Sequence, residues 1–508
     1  MSLKATGDGK TPSPVALIIV DVLIYCEYDG RTERNAVKSI WKQRAGTLMK
    51  NRKKKNIRWN TMGILAGGFL GVILLGGIFL WMPFSNRQPI EFMDALFTSV
   101  SAVCVTGLVT ITPAAQFTVV GQMILLVLIQ IGGLGVIACV TAFFLLLRRK
   151  ITLKERIVIQ ETYNMDKLSG MVLLVRGVLF GTFAVEGVGA ALYAIQFIPE
   201  YGIIKGIWYS VFHAVSAFCN AGIDILGASS LTEYVTNPII NITTMMLIIL
   251  SGLGFTVWFD VIANGKKLIR QEMPRRWWFT RLKLQSKLAI IMTLLLVVSG
   301  AVFIFFAEYD NPETLGNLSL ENKVMASFFQ SVTNRTAGFA TISQDALHTE
   351  SKLFNSILMF IGGSPGGTAG GVKTTTIAML FLACLTFVRG GNDTECMGKK
   401  ISVENFRTGF CVVMAAFSVF TVGTIAILII EPDTVSLVNV LYEAASAIGT
   451  VGLTADLTPH LARASQVVLM LMMYAGRLGP MTLVLLFAGK MHPRDKIRKL
   501  PEERIMVG

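Results

Sequence analysis

From Trp59 onward, apolar residues come in long blocks separated by short polar loops, and one arrangement of blocks recurs four times. Each recurrence reads as an apolar span, a loop, an amphipathic helix too short to cross a bilayer, a turn containing glycine, and a second span. The predicted spans lie at 60–83 and 117–147, 170–197 and 237–262, 286–308 and 353–388, and 408–431 and 462–489. The short helices are predicted at 91–103, 204–218, 319–333 and 435–448. A helix of that length covers about 20 Å, against a hydrocarbon core of about 30 Å, so these four are expected to enter a bilayer and turn back. The expected class is an all-α polytopic membrane protein. It has eight transmembrane helices in four tandem span–pore-helix–span repeats, at 59–147, 168–262, 286–388 and 407–489.

The turns after the short helices align as Ser101-AVCVTG-Leu108, Ser216-AFCNAG-Ile223, Ser331-VTNRTAG-Phe339 and Ser446-AIGTVG-Leu453. Counted from its serine, the third is one residue longer. A helix that stops inside a bilayer presents the negative end of its dipole there. Glycine permits backbone angles that other residues avoid, so the carbonyls before it can face a common axis. Four such strands would form rings of oxygens able to replace the hydration shell of a monovalent cation.

The second span of the third unit carries IGGSPGGTAGGVKTTT at 361–376 inside an apolar run from Leu353 to Val388. Gly362, Gly363, Pro365, Gly366, Gly367, Gly370 and Gly371 cannot hold a regular helix there. With Ser364, Thr368, Ala369 and Lys373 they mark broken backbone at membrane depth, tolerated only where it is buried in protein or lines a water-filled cavity. The segment is the candidate gate. A phosphate-binding loop is excluded by spacing, because Val372 separates Gly371 from Lys373. No nucleotide is expected to bind this chain.

Composition and charge then fix the setting. Of 508 residues, 53% are hydrophobic and 15% charged, a membrane composition. The net charge of +14 reports topology and not nucleic acid. Thirty-five of the 46 Lys and Arg fall in 31–58, 148–167, 263–287, 389–407 and 490–508, whereas the intervening loops on the other side hold Arg87, Lys205, Lys323, Lys352 and Arg463. By the positive-inside rule both termini are cytoplasmic, with 1–58 an N-terminal extension and 490–508 a C-terminal tail. The protein is expected in the cell membrane, with membrane lipid a partner of the basic loops. Acidic residues Asp224, Glu233, Asp345, Glu350 and Asp456 are expected near the outer mouth. None of the seven cysteines forms a CxxC pair, and no zinc or disulfide framework is read.

Charges inside the spans need partners. Glu186 is expected to pair with Arg176, and Glu443 to brace a strand of the fourth turn. Arg335 is expected to point away from the axis and tie the third turn to its short helix. Arg477, in the mid-span sequence YAGRLGP, must face protein or water.

The turns CVTGL, CNAGI, RTAGF and GTVGL, with GGSPGGTAGGVKTT, resemble the Ktr/Trk/HKT superfamily of potassium transporters over about residues 58–508, and within it the membrane subunits of bacterial Ktr systems. The resemblance implies a pseudo-fourfold, potassium-channel-like pore with one conserved glycine per filter strand. Carried over, the selectivity filter comprises Cys104, Val105, Thr106 and Gly107; Cys219, Asn220, Ala221 and Gly222; Arg335, Thr336, Ala337 and Gly338; and Gly449, Thr450, Val451 and Gly452. Potassium, the substrate, would meet the carbonyls of Val105, Thr106, Asn220, Ala221, Thr336, Ala337, Thr450 and Val451. Arg477 would restrict the pore together with the broken segment. The resemblance further implies sodium as activator, a homodimer to which the C-terminal EERIMVG contributes, and a cytoplasmic ring of RCK-type (KtrA-like) regulatory subunits binding ATP, ADP or NAD. A Trk-type subunit is the related alternative. Trk members commonly add two spans before the first unit, and only the short apolar stretch 16–26 stands there.

Overall fold

In a bilayer every backbone polar group must pair inside its own segment, so apolar runs rich in glycine still become helices. The protein, seen in a computed structural model, bears this out over the residues the structure describes: 61–146, 171–227, 229–272, 274–391 and 393–479. The expected extension at 1–58, the basic segment at 148–167, residues 480–489 of the last span, and the tail at 490–508 lie outside them.

Fifteen helices carry the described architecture. The first unit contains α1 (Thr61–Trp81), α2 (Phe92–Cys104), α3 (Val119–Leu134) and α4 (Val136–Leu146). The second contains α5 (Met171–Tyr201), α6 (Ile203–Cys219), α7 (Pro238–Leu253) and α8 (Phe255–Ile269). The third contains α9 (Leu284–Ala307), α10 (Leu320–Thr333), α11 (Thr349–Phe360) and α12 (Thr374–Val388). The fourth contains α13 (Val403–Ile430), α14 (Leu437–Gly449) and α15 (Arg463–Leu478). Among them α1, α5, α9 and α13 are each long and apolar enough to cross a membrane, and the shorter apolar helices fall between them.

A small-residue contact recurs in each unit. A methyl group at Gly76 would lie 2.8 Å from Leu128, and one at Gly189 2.8 Å from Leu247. One at Gly300 would lie 3.0 Å from Leu358, and Gly423 meets Met472 in the same way. The first helix of each unit therefore closes on its second helix through glycine, as expected where packing and not hydrophobicity drives helix association. The short helix is pinned into that contact by hydroxyls. Ser99 donates to the Ile73 carbonyl at 2.7 Å and Ser331 to the Val297 carbonyl at 2.7 Å.

The second spans depart from expectation. The sequence predicts continuous spans in units one, two and four, with a break only in unit three. In the structure α3 and α4 part at Gly135 (φ 89°, ψ 140°), and α7 and α8 at Gly254 (φ 91°, ψ 143°), with a bend of 95°. Helix α15 ends at Gly479 (φ 82°, ψ 140°). These angles are open only to glycine, so a single residue suffices to end each helix at the matching place. The third unit replaces this one-residue break with the segment 361–373.

Candidate functional site

The four turns meet. A methyl group at Gly107 would lie 2.7 Å from the Ala221 carbonyl oxygen, and one at Gly222 2.7 Å from that of Ala337. One at Gly338 would lie 2.5 Å from the Val451 oxygen, and one at Gly452 would collide with the Thr106 oxygen. The contacts run from unit one to two, two to three, three to four and four back to one, so the ring closes. No side chain larger than hydrogen fits at any of the four glycines without moving the next turn.

Each turn reaches the ring through the same backbone sequence. The residue two before the glycine is left-handed: Val105 (φ 55°), Asn220 (φ 60°), Thr336 (φ 65°) and Thr450 (φ 50°). The glycine again has positive φ, at 104°, 62°, 83° and 96° in order. Three of the four left-handed residues are β-branched, a conformation that costs about 1–2 kcal/mol each and persists only when the surroundings impose it. The imposing bonds are on the short helices. Thr106, Ala221 and Val451 donate their N–H groups to the carbonyls of Ser101, Ser216 and Ser446, each at 2.8 Å. The Ser101 hydroxyl accepts from the Gly107 N–H at 2.9 Å, and that of Ser446 from Gly452 at 3.0 Å. Ser216 instead donates to the Ile223 carbonyl at 2.6 Å.

In the third unit that part falls to Thr333, whose hydroxyl donates to the Phe339 carbonyl at 2.6 Å and whose carbonyl accepts from Ala337 at 3.0 Å. Ser331, the residue aligned on sequence, matches Ser99 and faces α9. Counted from the locking hydroxyl, the third turn is one residue shorter than its counterparts, not longer.

The carbonyls of Val105, Thr106, Asn220, Ala221, Thr336, Ala337, Thr450 and Val451 belong to fully buried residues. Among the described residues none of them accepts a hydrogen bond. Buried carbonyls are ordinarily paired, so eight acceptors left free around one ring make it the candidate site.

Behind the ring the braces differ from unit to unit. Glu443 accepts from the Thr454 hydroxyl at 2.5 Å, the Ala455 N–H at 3.0 Å and the Thr458 hydroxyl at 2.6 Å, as its expected bracing role requires. Glu443→Ala strands three buried donors, an expected cost of about 3 kcal/mol. It should appear as a lower thermal midpoint in detergent, with Glu443→Gln recovering part of the loss; an unchanged midpoint would mean that the donors find other acceptors.

Arg335 does not tie the third turn to its helix through its side chain. It is buried with Nε unpartnered, and Asn334 makes the lateral bond, donating to Asn355 at 2.8 Å. Glu186 does not pair with Arg176 either. Ten residues of helix separate the two by about 15 Å, too far for a side-chain contact. Glu186 instead accepts from the Gln130 amide of unit one at 3.1 Å and from the Cys219 thiol at 3.9 Å, directly behind the second turn. Arg176 is exposed.

The segment 361–373 lies against the ring at the end where the short helices stop: the Thr368 hydroxyl donates to the Phe218 carbonyl at 3.3 Å, in the last turn of α6. Gly362 donates to the Val372 carbonyl at 3.0 Å, which pairs the two ends of the loop. Ser364 N–H reaches the Gly252 carbonyl at 2.9 Å, and Phe255 N–H reaches that of Gly366 at 3.0 Å, so the broken helix of unit two holds one flank. A methyl group at Gly371 would lie 3.5 Å from Gly449, and Gly370 abuts Thr450, so the fourth turn rests on the other. Lys373 donates back to the Ala369 carbonyl at 2.7 Å. Arg477 clamps the middle: its guanidinium donates to the Thr368 carbonyl and to those of Gly132 and Gly133, the last at 3.2 Å. One cation thus joins units one, three and four by carbonyl bonds.

The chain is similar to known proteins over most of its length. The sequence model of the family described as TrkH, cation transport protein, matches residues 45–500. The chain is 36% identical to the Ktr system potassium uptake protein B of Bacillus subtilis, over 87% of this chain and 96% of that one. It is also 36% identical to the potassium/sodium uptake protein NtpJ of Enterococcus hirae, over 91% and 100%. The crystal structure of the potassium transporter TrkH from Vibrio parahaemolyticus superposes with a TM-score of 0.64 at 18% identity, over 94% and 95% of the two chains, a likeness of fold.

Proposed function

We infer the function of this chain from its membership: it belongs to the TrkH family of cation transport proteins. It is an ion transporter and not an enzyme, and its activity is potassium uptake across a membrane, as in the relatives named for that uptake. We propose that potassium crosses through the ring of four turns. The observation that carries this reading is the closed cycle of Gly107, Gly222, Gly338 and Gly452 with eight buried carbonyls that accept nothing from the described protein. Left-handed residues two before each glycine flip the peptide planes, so that successive carbonyls face one axis instead of alternating. Oxygens held there substitute for the hydration shell of a bare potassium ion. The C-termini of α2, α6, α10 and α14 add partial negative charge beneath.

The finer reading follows the sequence. Eight spans with both termini cytoplasmic put the 361–373 segment on the inner side of the ring, where it and Arg477 gate the pathway. Sodium as an activator belongs to this reading as well; a relative is named for uptake of both potassium and sodium. The name "Ktr system" supports a second component, which we take to be a cytoplasmic nucleotide-binding ring, with the pore subunit a homodimer. Arg276 and Arg281, flanking exposed Trp277 at 6.0 and 5.6 Å from its ring, offer that ring a basic docking surface. The central test is rubidium uptake into proteoliposomes containing the chain alone. Uptake blocked by potassium and not by sodium is expected; equal block by both would sink the filter.

A pH dependence follows from the mouth. Asp224, two residues past Gly222, is a half-buried carboxyl whose pKa burial pushes up to about 6 against the bonds it accepts, including that of the Leu226 N–H at 3.3 Å. A raised carboxyl pKa means the negative charge is present above pH 6 and lost as pH falls through it. Initial uptake at limiting potassium is expected to drop about threefold between pH 7 and 5, since one mouth charge steers cations at that scale. Asp224→Asn should remove the step. A step that survives in that variant would assign it to another group.

A further inference from the structure

Four units in a ring have four seams, but a single chain ties only three of them: one to two, two to three, and three to four. The seam between unit four and unit one has no peptide link. Among the described residues, three of the four seams carry a polar side-chain contact of one kind, from the start of one unit's second helix to the first half of the next unit's short helix. Across the first seam Trp208 donates to Gln122 at 2.9 Å. Across the third, Lys352 donates to Asn439 at 3.0 Å. Across the untied seam the contact is a double ion pair. Arg463, the first residue of α15, meets Asp94 on α2 as a two-pronged fork, at 2.6 Å to Oδ1 and 3.0 Å to Oδ2, and reaches Glu91 at 2.8 Å. Gln466 steadies the same guanidinium, accepting at 2.9 Å.

Asp94 does more than hold the seam. Its Oδ1 also accepts from the Thr110 hydroxyl at 2.8 Å, and Thr110 lies three residues past Gly107. The carboxylate, with its side chain 12% exposed, therefore links the fourth unit to the exit of the first turn. Planar fork geometry fixes direction as well as distance, which a single lysine contact does not.

We propose that Arg463 is a positioning residue for selectivity: by closing the untied seam onto Asp94 and Thr110, it sets the spacing between the first and fourth turns of the ring. This rests on the reading of that ring as the potassium filter. The place of the contact supports it. The one seam that chain connectivity leaves open carries the strongest charge pairing, and it joins the Gly452–Thr106 contact that completes the cycle.

The test compares potassium-over-sodium preference of uptake in proteoliposomes for Arg463→Gln, Arg463→Lys, Asp94→Asn and the Asp94→Asn/Arg463→Gln pair in the full chain. Each of Arg463→Gln and Asp94→Asn is expected to reduce the preference by about tenfold, the scale of one charge-assisted bond. The pair should lose no more than the worse single, because both remove one link. Lysine, which keeps charge without the fork, should fall between. Unchanged preference with only a lower thermal midpoint in Arg463→Gln overturns the proposal, as does additive loss in the pair. If Arg463→Gln fails to assemble, wild-type preference in Arg463→Lys overturns it. Gly107→Ser serves as the separate control: if it keeps the preference, the filter reading fails, whereas its loss beside intact Arg463 variants rejects the clasp alone.

Discussion

Replacing Gly107 by serine is expected to lower potassium-over-sodium preference by about 100-fold, equivalent to about 2.7 kcal/mol of differential stabilisation. The argument is steric before it is electrostatic. Gly107 has φ 104°, where an L residue is strained whatever space surrounds it. Its added carbon would sit 2.7 Å from the Ala221 oxygen and 3.2 Å from the α-carbons of both Gly222 and Gly452. Three of the four turns must therefore shift, and the carbonyls of Thr106 and Ala221 move with them. A ring spaced for potassium gains from each oxygen only while all remain at coordinating distance, so disorder in two oxygens relaxes discrimination more than it blocks passage. The serine hydroxyl adds a small hard ligand at the axis, which favours sodium further. Proteoliposome uptake in competing sodium measures this directly. A variant that folds and discriminates like the parent would remove the turns from the ion's path. Gly338→Ser should behave alike, since a carbon there would meet the Val451 oxygen at 2.5 Å.

The positions of those turns were legible because their constraint is local and repeated. A short apolar helix, a hydroxyl at its last turn and a glycine six residues on specify the bend without reference to the remaining chain. Where the local rule varied, sequence alignment slipped. The third unit locks through Thr333, and choosing Ser331 by identity alone turned a shortened loop into a lengthened one. The breaks at Gly135, Gly254 and Gly479 were missed for a related reason. One glycine inside an apolar run reads as tolerated, and only the angles show that it ends the helix. A signal was present nonetheless: Leu134-Gly135, Leu253-Gly254 and Leu478-Gly479 recur at the same distance past the packing residues Leu128, Leu247 and Met472. Partners far apart in the chain were not legible at all. Arg477 finds Gly132 across 345 residues and Arg463 finds Asp94 across 369, and nothing local to either cation foretells the encounter. Glu186 and Arg176 share one helix, which suggests a pair, whereas the fold brings Gln130 and Cys219 from other helices to the carboxylate.

The shared helix breaks sharpen what the third unit adds. In the other described second spans one glycine ends the helix, but here thirteen residues, 361–373, fill the same level and touch units two and four. Removing Gly366–Gly371 is accordingly expected to raise potassium uptake about tenfold if conduction is limited by this segment, a barrier change of about 1.4 kcal/mol. The deletion takes away Thr368, whose carbonyl Arg477 holds, and the glycines that abut Gly449 and Thr450. It leaves Gly362, Gly363 and Ser364, with the bond of the Ser364 N–H to Gly252 in the broken helix of unit two, to keep α11 in register. Arg477→Ala isolates the clamp from the obstruction. It frees the Thr368 carbonyl while Gly370 still rests on Thr450, so its uptake should rise less than that of the deletion. It should also lower the thermal midpoint, because the carbonyls of Gly132, Gly133 and Thr368 lose their donor. The two variants separate the alternatives. If the segment only supports the fourth turn, the deletion will lose potassium preference without gaining flux. If it obstructs the path, flux rises while preference, set by the ring on the other side of Thr450, is retained. Unchanged or abolished uptake in a folded deletion variant rejects the gate, since no barrier would then have resided in these residues.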